Sequence, residues 1–179
     1  MPAGAWFSDV VNRAVSLGFF SGYPDGRFGS NDRITRAQVT VALWNTAGNP
    51  APGANAKRFS DVMERMYYTD AIAWASGAGV VNGYADGRFG PDDPVTREQL
   101  AAMLANYARK IAGKPTNGSA ADFQAMKDAA KVSGWAVSSV GWCFQQHIIS
   151  GTQDGYVNPQ GDGTRAEAAK MFVMLHDLL

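Results

Sequence analysis

A chain of 179 residues with 16 basic and 16 acidic side chains has no basic stretch dense enough to release counterions from nucleic acid. One cysteine, Cys143, excludes an internal disulfide, and no apolar run approaches membrane-spanning length. Met1-Pro2-Ala3-Gly4 carries neither the basic nor the apolar region of a signal peptide.

The first predicted helix runs from Asp9 to Leu17, with Asp9 as its N-cap. A glycine turn follows, Gly22-Tyr23-Pro24-Asp25-Gly26, and then Thr35-Arg36-Ala37-Gln38, a capping box that opens a second helix. Val39, Ala42 and Leu43 form the apolar stripe of that helix, and Gly48 ends it. After a Pro- and Gly-punctuated linker the same sequence of elements returns. Phe59-Ser60-Asp61-Val62 leads into a helix from Asp70 to Ala78, the turn Gly83-Tyr84-Ala85-Asp86-Gly87 and the capping box Thr96-Arg97-Glu98-Gln99. Leu100, Met103, Leu104, Tyr107, Ala108 and Ile111 then recur at helical spacing. The third passage has Met126-Lys127-Asp128-Ala129, a helix from Ser138 to Gln146, Gly151-Thr152-Gln153-Asp154-Gly155 and Thr164-Arg165-Ala166-Glu167, with the stripe Ala168, Met171, Phe172 and Leu175.

Arg36 to Arg97 is a shift of 61 residues and Arg97 to Arg165 one of 68, and the Asp-Gly pairs move by the same amounts. The chain is therefore an internal repeat. Its divisions are repeat 1 at 1–48, a linker at 49–58, repeat 2 at 59–112, a linker at 113–121 and repeat 3 at 122–179. Units this small bury little surface alone, so an all-α fold of three helix-loop-helix repeats in one cooperative unit is expected. Repeat 1 begins too late to contain the Phe-x-Asp-Val piece, which gives the chain the look of an excised part of something longer.

A threonine that caps a helix needs no functional explanation, but the arginine after it does. A cation in the first turn of a helix opposes the macrodipole, so something negative is expected near Arg36, Arg97 and Arg165. Two sources are open: a loop acid of the same repeat (Asp25, Asp86 or Asp154), or an anionic ligand held by the arginine and exposed helix-end amides. Gly26, Gly87 and Gly155 are explained by the need for a left-handed residue after the aspartate. No metal or cofactor is expected. Asn31-Asp32 and Asp92-Asp93 miss the spacing of a calcium loop, and His147 and His176 occupy unrelated registers. Cys143 takes the register of Ala75, a core position.

Aromatic residues also recur. Trp6, Tyr67 and Trp135 share one register; Trp74 and Trp142 share another, where repeat 1 has Arg13. Core packing is the default for both sets, and exposure beside a groove would instead suit stacking on the apolar face of a sugar.

Gly79-Val80-Val81-Asn82-Gly83-Tyr84-Ala85-Asp86-Gly87-Arg88-Phe89-Gly90-Pro91, with Phe59-Ser60-Asp61-Val62, the Ala71-Ile72-Ala73-Trp74-Ala75 helix and Val95-Thr96-Arg97-Glu98-Gln99, resembles one nearly complete repeat of the S-layer homology family. The resemblance covers essentially the whole chain. It implies a pseudo-threefold, three-pronged spindle around a central helical bundle, with grooves between neighbouring repeats. It also implies non-covalent anchoring of a larger surface protein to secondary cell-wall polysaccharide outside the bacterial cell, often through pyruvylated sugar ends. By the family pattern Arg36, Arg97 and Arg165 would contact the anion. Asp25-Gly26, Asp86-Gly87 and Asp154-Gly155 would shape the grooves, and Trp74 and Trp142 would contribute walls.

Repeat 3 departs from that pattern, with Thr152 for the tyrosine, Val157 for the phenylalanine and His147 for the glycine of positions 18 and 79. The first two arginines therefore rank above Arg165. A self-assembly or protein–protein module of the envelope is the alternative function, with a monomer or weakly associating chain expected for the anchor. Catalysis is not expected, because an acid and base pair needs two different environments and here one set of groups is simply repeated.

Overall fold

The computed structural model describes residues 7–179, so Trp6 lies outside the described residues. The described chain is all-α: α1 (Ser8–Ser16), α2 (Arg36–Thr46), α3 (Thr69–Gly77), α4 (Arg97–Lys110), α5 (Val137–Gln145) and α6 (Arg165–Leu178), with short 3-10 turns at Ala120–Asp122 and Ala129–Lys131. Each repeat contributes a short helix and a longer one.

The longer helices begin as their capping boxes dictate. The side chains of Thr35, Thr96 and Thr164 accept from the amides of Gln38, Gln99 and Glu167, whose own side chains accept from the threonine amides in return. Such caps contribute about 1 kcal/mol each. The shorter helices differ from expectation. They start after Phe7, Tyr68 and Ala136, none of which caps through its side chain, so Asp9, Asp70 and Ser138 lie inside the first turn. There the two aspartates favour the positive end of the helix dipole without capping it.

The stripes of α2, α4 and α6 are buried as their spacing requires, except that Ile111 terminates α4 and stays 40% exposed. One contiguous apolar cluster includes residues of all three repeats. Its assembly follows a cycle: α2 packs on α3, α4 on α5, and α6 on α1, while α4 also touches α2 and α6. The first helix of each repeat therefore leans on the second helix of the repeat before it, and repeat 3 closes on repeat 1.

Backbone hydrogen bonds close the same cycle. The Ile34 amide donates to the Gly163 carbonyl at 3.0 Å, Val95 to Ile34 at 3.0 Å, and Gly163 to Val95 at 2.8 Å. These three residues occupy one register, immediately before the capping threonines. Cys143 is buried against α4, with Sγ 3.7 Å from the Ala101 carbonyl, and burial pushes its thiol pKa up. It is a core residue, as its register implied. His147 keeps the left-handed conformation (φ 56°) of Gly18 and Gly79, so the turn survives the substitution.

Candidate functional site

The first-turn amides of α2, α4 and α6 are already occupied. Arg36 and Ala37 donate to the Asp93 and Pro91 carbonyls, Arg97 and Glu98 to those of Gly161 and Pro159, and Arg165 and Ala166 to those of Asp32 and Ser30. Each helix thus starts against the loop of the next repeat in the cycle. Its N-terminal amides are spent on that junction instead of being exposed to a ligand.

The arginine side chains make the same crossing. Arg36 Nε donates to the Phe89 carbonyl at 2.7 Å and its Nη2 to that of Asn82 at 2.8 Å. Its guanidinium lies 4.8 Å from the Tyr84 ring centre and 4.7 Å from that of Phe89. Arg165 does the same in repeat 1. Its Nε reaches Phe28 O at 2.8 Å, its Nη2 reaches Ser21 O at 2.9 Å, and the rings of Tyr23 and Phe28 lie 4.6 and 4.8 Å away. Burial lowers the pKa of both guanidiniums against the opposing pull of Tyr84 and Tyr23. They remain cations, since arginine does not deprotonate in proteins.

Arg97 enters the divergent loop of repeat 3 and is held differently. Its Nε keeps the bond to Val157 O at 2.9 Å, but Nη1 forms a salt bridge with Glu167 at 2.6 Å. Glu167 occupies the capping-box position that is glutamine in the other repeats, Gln38 and Gln99. Thr152 and Val157, which replace the stacking rings, cannot supply cation–π contact. The intact loops therefore receive Arg36 and Arg165, and the altered loop receives Arg97.

The loop acids do not serve these arginines. Asp25 pairs with Arg27 and Asp86 with Arg88, each at 2.8 Å and at an exposed turn tip. The amides of Arg27 and Arg88 hold both carboxyls below their ordinary pKa, with help from the guanidiniums. Asp154 is exposed at the corresponding tip. Gly26, Gly87 and Gly155 have φ of 81°, 86° and 79°, the left-handed geometry their turns need.

Three grooves lie where the arginines cross. One of about 400 Å³ joins Arg36 to Asn82, Gln99, Met103, Asn106 and Trp135. Another, of about 520 Å³, joins Arg165 to Ser21, Tyr23, Gln38, Asn45 and Tyr67. The third, of about 560 Å³, joins Arg97 to Ser150, Thr152, Glu167, Lys170 and Met171. The Asp-Gly pairs line none of the three. Trp74 and Trp142 are 7% and 3% exposed and belong to the core, whereas Tyr67 and Trp135 are 61% and 60% exposed at groove rims. The family pattern points to Trp74 and Trp142 as walls, whereas the exposed aromatics at the rims are Tyr67 and Trp135, which share the other repeated register. The polar lining residues Asn45, Asn106, Gln38 and Gln99 were not singled out as contacts, although their repeat registers could have revealed them.

This geometry defines a helical module of three repeats that share inter-repeat grooves, each with an arginine in its lining. The chain belongs to the S-layer homology domain family, whose model matches residues 2–40, 58–101 and 125–169. It is 31% identical to Cell surface glycoprotein 1 of Acetivibrio thermocellus over 86% of this chain and 7% of that protein. Against the Cellulosome-anchoring protein of the same organism it is 29% identical over 86% of this chain and 34% of the relative. Against S-layer protein EA1 of Bacillus anthracis the identity is 28%, over 99% of this chain and 20% of the relative. The chain thus spans only a minor part of each of these curated relatives. The family and these relatives make it a module of cell-surface proteins. Among the described residues, no helix is long and apolar enough to cross a membrane.

Proposed function

We propose that the chain is a non-catalytic anchor that binds secondary cell-wall polysaccharide through anionic sugar ends, pyruvylated ones in particular, in the grooves of Arg36 and Arg165. The observation that carries this reading is a cation with no carboxylate at ion-pair distance among the described residues, beside an exposed aromatic; Asp93 and Asp61 act on Arg36, and Asp32 on Arg165, only from farther away. Arg36 and Arg165 are bonded to carbonyls, with Trp135 and Tyr67 respectively at the groove rims. A ketal carboxylate would satisfy the guanidinium, and the sugar ring would lie on the aromatic face. The name of the Cellulosome-anchoring protein supports anchoring as the purpose.

The sequence ranking of the arginines changes within this proposal. It rests on the departures of repeat 3 from the family pattern; because each arginine crosses to the next repeat, Arg165 gains the intact loop of repeat 1 and Arg97 the divergent loop of repeat 3. Glu167 already neutralises Arg97, so the third groove contributes least to anion binding.

The test is sedimentation of the purified chain with bacterial sacculi before and after mild acid removal of pyruvate ketals, at constant total glycan. Binding lost with the ketals supports the reading. Equal binding to both preparations removes the carboxylate from it, and binding to neither, with concentration-dependent self-association, favours an assembly module.

A further inference from the structure

Glu98, in the first turn of α4, is a buried acid without a counterpart. Its register holds Ala37 in repeat 1 and Ala166 in repeat 3, yet it is only 3% exposed. Among the described residues no cation stands at ion-pair distance from it. Three donors, all from repeat 3, hold its carboxylate instead. Oε2 accepts from the Ser133 amide at 3.0 Å, and Oε1 accepts from Ser133 Oγ and from Gln160 Nε2, each at 2.8 Å. Gln160 stands where repeats 2 and 1 have Asp92 and Asn31, so neither the acid nor its long amide partner is repeated at the other two junctions. Alanine starts both sister helices, so the helix itself does not require a carboxylate here, and burying one is costly unless it is fully hydrogen-bonded.

What Glu98 holds is the first residue of a tight turn. Ser133-Gly134-Trp135-Ala136 is closed by the Ala136 amide, which donates to the Ser133 carbonyl at 2.8 Å. Trp135, exposed in the middle of that turn, lines the Arg36 groove. Its chain neighbour lends no stiffness, since a Cβ on Gly134 would meet nothing within 4 Å. The Tyr67 turn at the Arg165 groove is secured differently, from within its own repeat: Thr69 Oγ1 accepts from the Met66 amide at 3.0 Å and donates to the Met63 carbonyl at 2.8 Å.

We infer that Glu98 is a positioning residue of the Arg36 groove: it fixes Ser133, and through Ser133 the turn that presents the Trp135 ring to the ligand. The inference rests on the reading of that groove as a glycan site. The groove draws on all three repeats, with Arg36 from the first, Gln99 from the second and Trp135 from the third. Glu98, next in sequence to Gln99, ties the second to the third. Hydrogen bonds to an ionised carboxylate are stronger than neutral ones, which suits them to hold an exposed turn. A ring held in place beforehand loses less freedom when a sugar stacks on it, so the latch favours binding without touching the ligand.

The test is Glu98→Gln in the whole chain, whose new NH2 group must face either the Ser133 amide or the Gln160 amide. Two quantities are read: the order of the Trp135 indole N–H by magnetic relaxation of isotopically labelled protein, and sedimentation with ketal-bearing sacculi. The indole resonance is identified by its loss in Trp135→Ala. Glu98→Gln should loosen the indole and weaken binding about fivefold, less than removal of the ring itself. On a Trp135→Ala background the same change should leave binding unaltered, whereas a merely structural effect would weaken it alike with and without the ring. Exchanging the partners, Glu98→Gln with Gln160→Glu, should restore both indole order and binding. Ser133→Ala, which keeps the amide contact, gives the same comparison in milder form if Glu98→Gln does not fold. An indole equally ordered in the folded variant, or equal losses of binding on both backgrounds, would overturn the inference. Failure of the glycan reading looks different, because Trp135→Ala would then bind as well as the parent whatever Glu98 does to the turn.

Discussion

Trp135→Ala separates binding from folding more cleanly than any arginine substitution. Arg36 makes two hydrogen bonds to carbonyls and stacks beside two rings, so its loss removes about 3 kcal/mol or more from folding, a large part of a typical 5–15 kcal/mol. An Arg36→Ala chain that failed to bind could simply have failed to fold. Trp135 is 60% exposed and lines the Arg36 groove, so its removal should alter stability by no more than about 0.5 kcal/mol. If a sugar ring stacks on it, about 60 Å² of apolar surface leaves water, worth roughly 1.5 kcal/mol or about tenfold in affinity. Trp142→Ala is the control. That side chain is 3% exposed, and its truncation should cost about 3–5 kcal/mol of stability. Thermal unfolding of each variant, beside sedimentation with sacculi across a range of protein concentrations, gives both readouts. A folded Trp135→Ala chain that binds as well as the parent, together with an equally unaffected Tyr67→Ala, would refute the stacking geometry.

Three further outcomes follow from particular contacts. Gly163 sits in the backbone ring where the other repeats have Ile34 and Val95, and an added Cβ would meet its neighbours at 3.5 Å or more, so Gly163→Ala should stabilise the chain by about 0.5–1.5 kcal/mol; a lowered melting temperature would contradict this. Burial raises the pKa of Asp61, but the Phe89 and Gly90 amides outweigh it and hold the carboxyl below its ordinary value. Its contribution is therefore complete above about pH 4 and declines as pH falls through the depressed folded value, so Asp61→Asn should weaken the fold at pH 7 and flatten the acid limb of the stability profile. Glu167→Gln frees Arg97 from its carboxylate and should raise binding to ketal-bearing sacculi, measured by sedimentation, while unchanged binding would show that charge pairing does not limit the third groove.

The helices were legible because their signals are local. Threonine with Gln or Glu three residues on fixes a helix start by itself, and an i, i+3, i+4 stripe fixes the buried face. The starts of the shorter helices were misplaced for the same reason. Asp9 and Asp70 are good N-caps by type, but an N2 aspartate is also favourable, and only the packing of Phe7 and Tyr68 decides between the two positions. The two tryptophan registers show a similar limit. Trp74 and Trp142 precede the core residues Ala75 and Cys143 on α3 and α5 and are buried with them, and the assignment of walls to them came from the family pattern. Nothing local distinguishes Tyr67 and Trp135 as exposed, because their surroundings are supplied by the preceding repeat.

The same cause explains why the arginines were the least legible residues of all. Viewed within one repeat, each is a cation in the wrong turn of a helix, and the nearest acids are those of its own loop. In the folded chain the next repeat supplies carbonyls to both the helix-end amides and the guanidinium, and in two cases aromatic faces as well. That arrangement removes the conflict with the macrodipole without neutralising the charge. An ion pair would also have removed it, as Glu167 does for Arg97, but at the expense of the positive potential an anionic ligand requires. Carbonyls and rings hold a cation in place without pairing it with a carboxylate, which is what the proposed anion site asks of Arg36 and Arg165.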